Sequence, residues 1–242
     1  MRCSEETFET VEENLAADQI ALERVAREQG EGILRLWEIH HPAVVLGMGG
    51  RWLEEVVREN AVGASIPIVR RLSGGGPVVL AQGCLNYSLI IPMAFSSELM
   101  TPSSANDWIM DRHRSLCSIV SGLKIERAGC TDLAVGARKF SGNAQKRGGG
   151  AVLFHGTFLL NMDLGLVGRF LKEPCCQPEY RHQRTHADFL TNLNLCREDL
   201  AAGLRRLWGA ERDVVLAAGE WAVVLSQLVR ERYANPEWNL RR

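Results

Sequence analysis

Residues 66–80 read IPIVRRLSGGGPVVL: an apolar run, two arginines, a serine, three consecutive glycines and a second apolar run. Ile66–Leu72 reads as a strand that enters a loop at Ser73. A triple glycine has two readings. One is a flexible turn, because glycine tolerates backbone conformations closed to other residues. The other is a backbone that must lie against a ligand, where bare amides can face a phosphate or an acyl carboxylate. The arginines weigh toward the second, since a guanidinium fork donates paired hydrogen bonds to such anions. Neighbours on a strand point to opposite faces, so one of Arg70 and Arg71 faces the ligand side and the other pairs elsewhere. No Gly-Lys-Ser/Thr follows, which excludes a P-loop.

Outward from this loop, helices and strands do not alternate. Thr7–Gln29 has helical spacing of apolar residues among acids. Leu34–Ile39 and Ala43–Leu46 read as strands, and Trp52–Asn60 as a short helix. Val78–Leu80 and Leu85–Pro92 are extended segments, and Asp107–Leu123 has a helical pattern. Leu133–Val135, Arg138–Phe140 and Ala151–Leu160 read as strands joined by turns, Arg169–Ala187 is irregular, and Asp199–Trp208 and Gly219–Arg232 read as helices. The pattern predicts an α+β fold with hairpin-like strands in the middle and helices at both ends, not a Rossmann fold or barrel.

A second cluster of chemistry lies at 129–161, GCTDLAVGARKFSGNAQKRGGGAVLFHGTFLLN. Lys139 stands between an apolar segment and small residues. A half-buried ammonium there needs an anionic or carbonyl partner, whereas a solvated strand lysine is the commoner case. His155 is a candidate site histidine, although a lone histidine is more often packing or surface. Gly148–Gly150 reads as a hairpin tip.

The chain has 242 residues, 46% hydrophobic and 24% charged, with a net charge of -1, so no global field favours nucleic acid or an anionic membrane. The first residues are acidic and polar rather than a secretory leader, and no run suggests a membrane span. Seven cysteines, an odd number with no C-x-x-C pair, suit a reduced, cytoplasmic protein without a disulfide framework or a zinc ribbon.

Taken together, RRLSGGGPVVLAQGCLNYSLII, KFSGNAQKRGGGAVLFHGT and the early LWEIHHPAVVLGMGG resemble the lipoate-protein ligase family of the biotin/lipoate ligase superfamily. The resemblance covers about residues 10–195. It implies a mixed, largely antiparallel sheet packed by helices, similar to class II aminoacyl-tRNA synthetase and biotin ligase cores. It implies one catalytic domain over 1–242, with 198–242 a short helical extension and no full accessory domain. It implies lipoate or octanoate as acyl substrate, ATP with Mg²⁺ for activation, and a lipoyl domain as acceptor, from a 2-oxoacid dehydrogenase E2 component or the glycine cleavage H protein. A separate accessory chain is a further implied partner. Lys139 falls on the family lysine that contacts acyl carbonyl and nucleotide phosphate. Arg71, Gly76, Pro77, Val78 and Val79 fall on the nucleotide-contacting loop. Ser73, Gly74 and Gly75 fall on the loop lining the lipoyl tunnel, and Arg70, Asn86 and His155 on motif positions beside the substrate.

The chain also departs from the family pattern. Leu80 and Ala81 stand where members often carry His-Asp, and Met48 where an arginine is usual. Octanoyltransferases and lipoyl amidotransferases share the fold and work through a cysteine thioester. Cys130, nine residues before Lys139, is the alternative nucleophile, against the plain reading of a small loop residue. A non-catalytic binder of lipoyl domains is a third reading. A biotin ligase is disfavoured, since its Gly-Arg-Gly-Arg-type loop differs from RRLSGGG. Arg181, His182, Arg184 and His186 form a basic cluster, read either as a solvated loop or as a surface that docks an acidic acceptor or covers the nucleotide.

Overall fold

The computed structural model describes Met1–Arg242, and its strands form two sheets. In chain order they are β1 (Arg2–Ser4), β2 (Ile33–Trp37), β3 (Ala43–Leu46), β4 (Ile68–Arg70), β5 (Val78–Leu80), β6 (Cys84–Pro92), β7 (Ile125–Ala128), β8 (Asp132–Val135), β9 (Arg138–Gly148), β10 (Ala151–Leu159) and β11 (Arg212–Asp213). The large sheet runs β11-β1-β2-β6-β10-β9-β8-β7, and the small one β4-β3-β5. Pairing is antiparallel from β2 through β7, while β1 lies parallel to both β2 and β11. In the small sheet β3 is parallel to β4 and antiparallel to β5. The α+β, mostly antiparallel expectation therefore holds.

Local chemistry explains the main elements. Thr10 caps helix Val11–Glu28 with a reciprocal box: its hydroxyl accepts from the Glu13 amide at 3.2 Å, and its own amide donates to the Glu13 carboxylate at 3.0 Å. Thr101 caps helix Pro102–Ser121, where the proline occupies the first turn and costs no hydrogen bond. Gly149 and Gly150 turn the β9–β10 hairpin at φ 58° and 80°, as the sequence suggested.

Three sequence readings change. Trp52–Asn60 is not one helix but two short ones, Trp52–Glu55 and Arg58–Gly63, because Val56 breaks off to bridge with Leu171. The strand expected over Arg138–Phe140 extends to Gly148, since β10 supplies a full-length antiparallel partner. The C-terminal stretch includes β11, helix Glu220–Leu228 and helix Pro236–Asn239 besides helix Arg197–Leu207, so it joins the large sheet and packs on the small one. No helix is long and apolar enough to cross a membrane. All seven cysteines are free thiols.

Alternation along the central strands separates core from site. Leu34 and Leu36 of β2, Leu85, Tyr87, Leu89 and Ile91 of β6, and Phe154 and Phe158 of β10 join one core beneath helices Pro102–Ser121 and Arg197–Leu207. The residues between them face the opposite side, toward helix Val11–Glu28 and the small sheet.

Within that core His113 is wholly buried, accepting from Trp208 Nε1 at its Nε2 (3.0 Å), so Nδ1 carries the ring proton. Burial pushes its pKa from 6.5 down to about 3. The unfolded chain therefore takes up a proton below pH 6.5 that the folded chain refuses until about pH 3. Stability is present above that window and falls through it as pH drops, by about 1.4 kcal/mol per pH unit. Urea unfolding of a His113→Gln variant should show a shallower decline between pH 6.5 and 4.5 than the parent. Equal slopes would show that His113 does not titrate differently on unfolding.

Candidate active site

The register of the large sheet builds the floor of a cleft as two rungs. One rung places Arg35, Ser88, His155 and Ala144 side by side; the next places Trp37, Asn86, Thr157 and Gly142. Above this floor lie helix Val11–Glu28, β5 and the glycine loop. The cleft encloses ≈ 260 Å³, with Leu15, Trp37, Val45, Val78 and Leu80 as its apolar wall. Asn86, Ser88, His155 and Thr157 are its polar side. Two donors here are buried without a partner, Asn86 Nδ2 and Trp37 Nε1. Such groups are costly unless an acceptor reaches them, so the site suits a ligand with an apolar body and an oxygen-bearing end.

A second cleft of ≈ 130 Å³ lies behind β5, lined by Val79, Leu159, Val167, Phe189 and Leu190 and by Arg181 and His186. The two clefts share Pro77, Val78, Leu80, Lys139, Gly142 and Thr157. Lys139 thus stands at their junction. Its ammonium pairs with Asp132 Oδ1 at 2.8 Å, and its side chain is one-quarter exposed. The β8–β9 register slips at Leu133/Ala134, and Lys139 bridges to Leu190, with the Thr191 amide donating to its carbonyl at 2.9 Å. The lysine passes over Gly142, where an added Cβ would lie 2.7 Å from Nζ, so a side chain there would push the flexible end of Lys139 out of its place.

The glycine loop is braced from beneath. The Arg71 guanidinium donates to Ser73 Oγ (3.0 Å) and to the carbonyls of Gly74 (2.5 Å) and Gly76 (3.0 Å). Burial pushes its pKa down to about 10, so it stays charged at neutral pH. Ser73 Oγ lies 2.6 Å from His155 Nε2, and His155 Nδ1 lies 3.4 Å from Asp18. Asp18 is itself buried against Arg35 (2.9 Å) and accepts from Ser88 (2.7 Å). Burial alone would raise the Asp18 carboxyl, but His155 and Arg35 outweigh it and hold it below the usual carboxylate range.

Of the residues expected at the site, Lys139, Arg71, Gly75, Gly76, Pro77, Val78, Asn86 and His155 line the first cleft. Val79 lines only the second. Ser73 and Gly74 sit behind the wall, holding Arg71 and His155. Arg70 is a correction: it points away from both clefts. It is wholly buried and donates to the carbonyls of Gly47, Gly50 and Asn239, each at 2.8 Å, while Asn239 Oδ1 accepts from its amide at 2.9 Å. It therefore ties helix Pro236–Asn239 to the loop after β3. Cys130 is exposed at the β7–β8 turn and lines neither cleft.

The basic cluster divides. Arg181 and His186 are buried beside the second cleft, with Glu173 accepting from Arg181 at 2.5 Å, whereas His182 is exposed. Arg184 donates to the carbonyls of Tyr180 and Arg181. Three site groups escaped the sequence reading. Asp18 had a signal, an acid on the helical stripe Val11–Leu15–Leu22–Val25; so did Arg35, a charge inside the apolar run LRLW. Asp132 had none.

The site is thus a cleft with an apolar wall and a glycine-loop rim, joined to a second cleft at a lysine, an arrangement able to hold an acyl chain beside a second ligand. Residues 10–201 match the lipoyl protein ligase A/B catalytic domain, and the chain belongs to that family. The lipoate-protein ligase LplJ of Bacillus subtilis is 27% identical over 238 residues, covering 93% of this chain and 69% of the relative. The octanoyltransferase LipM of Symbiobacterium thermophilum is 26% identical over 264 residues, covering 95% and 94%. The lipoate-protein ligase 1 of Staphylococcus aureus is 32% identical over 159 residues, covering 66% of this chain and 46% of the relative. Among solved structures, the putative lipoate protein ligase Ta0514 of T. acidophilum with bound lipoic acid superposes with TM-score 0.81 at 21% identity, covering 100% and 98%. Lipoate-protein ligase A bound with ATP gives 0.82 at 21%, covering 99% and 98%. The biotin protein ligase of Leishmania major gives 0.51 at 12%, covering 95% and 78%, so the wider fold is shared with that group.

Proposed function

We propose that this chain is a lipoate-protein ligase. It binds lipoate or octanoate in the first cleft and the nucleotide of MgATP in the second. The observation that carries this reading is the position of Lys139 in the wall common to both clefts. A carboxylate oxygen of the acid attacks the α-phosphorus, pyrophosphate leaves, and an acyl-adenylate forms. The amine of an acceptor-domain lysine then attacks the acyl carbon, AMP leaves, and the nitrogen loses one proton.

The residues act by position and charge. Lys139 faces the oxygens where negative charge develops on carbonyl and phosphate. Asn86 Nδ2 and Trp37 Nε1 offer donors to the acid end, and the apolar wall holds the chain. Gly75 and Gly76, on the loop that Arg71 braces, line the first cleft, where their backbone amides suit the acyl carboxylate. A relative named for lipoate ligation and a similar fold with ATP bound support this reading.

The test mixes the protein with an apo lipoyl domain and free lipoate, with and without MgATP, and follows acceptor mass. A gain of one lipoyl group only with MgATP is the expected result. No gain with MgATP, but transfer from octanoyl-carrier protein, would overturn it. The second reading, a thioester on Cys130, is favoured by the full-length match to LipM. Cys130 lies outside both clefts, so Cys130→Ala should leave ATP-dependent transfer within about twofold of the parent, the span expected of an exposed side chain apart from the chemistry. Loss of transfer in that variant would restore the thioester.

A further inference from the structure

The segment that covers the second cleft also reaches the lysine at the junction. Residues 179–181 form a single 3-10 turn, and Tyr180 in it is half-buried with its ring 5.2 Å from that of Phe189, a wall residue of the second cleft. Its hydroxyl donates to Asp132 Oδ2 at 2.6 Å. The other oxygen of the same carboxylate, Oδ1, receives Lys139 Nζ at 2.8 Å. The ring also packs on the β7–β8 turn, where a Cβ built on Gly129 would lie 3.4 Å from it. Arg184 fixes the backbone by donating to the Tyr180 carbonyl at 2.8 Å. Burial, and then the Asp132 charge, push the Tyr180 hydroxyl well above the ordinary tyrosine range, so it remains a donor at any working pH.

We propose that Tyr180 is a positioning residue for Lys139, acting through Asp132; this rests on the reading of Lys139 as the group that meets the acyl and phosphate oxygens. A carboxylate held at one oxygen by a fixed tyrosine presents its other oxygen, and the lysine bound there, in one place. When Lys139 shifts onto a ligand oxygen, Asp132 loses that partner but keeps the hydroxyl. The half-buried charge is then not left bare, and leaving it costs the lysine less. Arg181 and His186 belong to the same covering segment, so the order of that segment over the second cleft is coupled to the order of Lys139.

The experiment compares Tyr180→Phe, Asp132→Asn, the double variant and Lys139→Ala, using the acyl donor that the intact protein accepts. Phenylalanine keeps the ring contact with Phe189 and removes only the hydroxyl. Tyr180→Phe should lower kcat about tenfold, the scale of one hydrogen bond to a charged group, with KM values within about twofold and an unchanged melting temperature. In the Asp132→Asn background the same change should alter kcat by less than about twofold, because the group it acts through is gone. Parental kcat in Tyr180→Phe overturns the proposal, as does an equal tenfold loss in the Asp132→Asn background. A raised KM with unchanged kcat overturns it too, making Tyr180 a mere wall of the cleft. Normal transfer by Lys139→Ala would remove the reading of Lys139 itself, an outcome distinct from failure of the coupling.

Discussion

Lys139→Ala should abolish acyl transfer, to at least about a thousandfold below the parent, while the protein stays folded. The side chain is one-quarter exposed and has a single ionic partner, Asp132 at 2.8 Å. Its removal leaves Asp132 with the Tyr180 hydroxyl and access to water, so the structural cost is on the order of 1 kcal/mol. The catalytic cost is larger because no other charged group stands in the wall shared by both clefts. Arg71 is turned into the carbonyls of its own loop. Acceptor mass after incubation measures the first quantity and a circular-dichroism melt the second. A folded variant with parental transfer would end the role assigned to Lys139.

Asp18→Ala should be the most destabilising single change at the site, costing about 3–5 kcal/mol. Asp18 and Arg35 are fully buried partners at 2.9 Å. Arg35 also donates to the Asn14 carbonyl and side chain and to the Glu6 carbonyl, so it cannot swing out to solvent when its counter-ion is removed. The variant therefore keeps an unpaired buried charge, and loses the acceptor that steadies Ser88 and His155. Urea unfolding at neutral pH measures the loss. Adding Arg35→Met should recover much of it, because the apolar replacement carries no charge to desolvate. A loss below about 1 kcal/mol for Asp18→Ala would mean that the pair is solvated, as surface ion pairs are.

Arg70 and Arg71 show how far a strand pattern reaches. Adjacent residues had to face opposite sides, and they do: Arg71 lines the first cleft, and Arg70 is buried under Asn239. Which arginine took which face was not written locally, because it depends on Asn239, in a helix whose contact with Arg70 spans 169 residues of chain. Cys130 makes the same point in reverse. Nine residues from Lys139 along the chain, it is separated from the clefts by a turn that points its side chain outward. Asp18 and Arg35 were legible as charges on apolar faces, but only folding shows that each one answers the other.

By itself the sequence determined the secondary elements with strong periodicity and caps, the glycine loop, the lysine motif and the family, since each depends on neighbours within one turn or strand. Ala43–Leu46 and Val78–Leu80 were readable to the residue for that reason. Tertiary structure alone decided the joining of two clefts at Lys139, the bond from Tyr180 to Asp132, and the burial of Arg70. Each of these pairs groups far apart in the chain, and sheet register and long-range packing set such meetings rather than local preference.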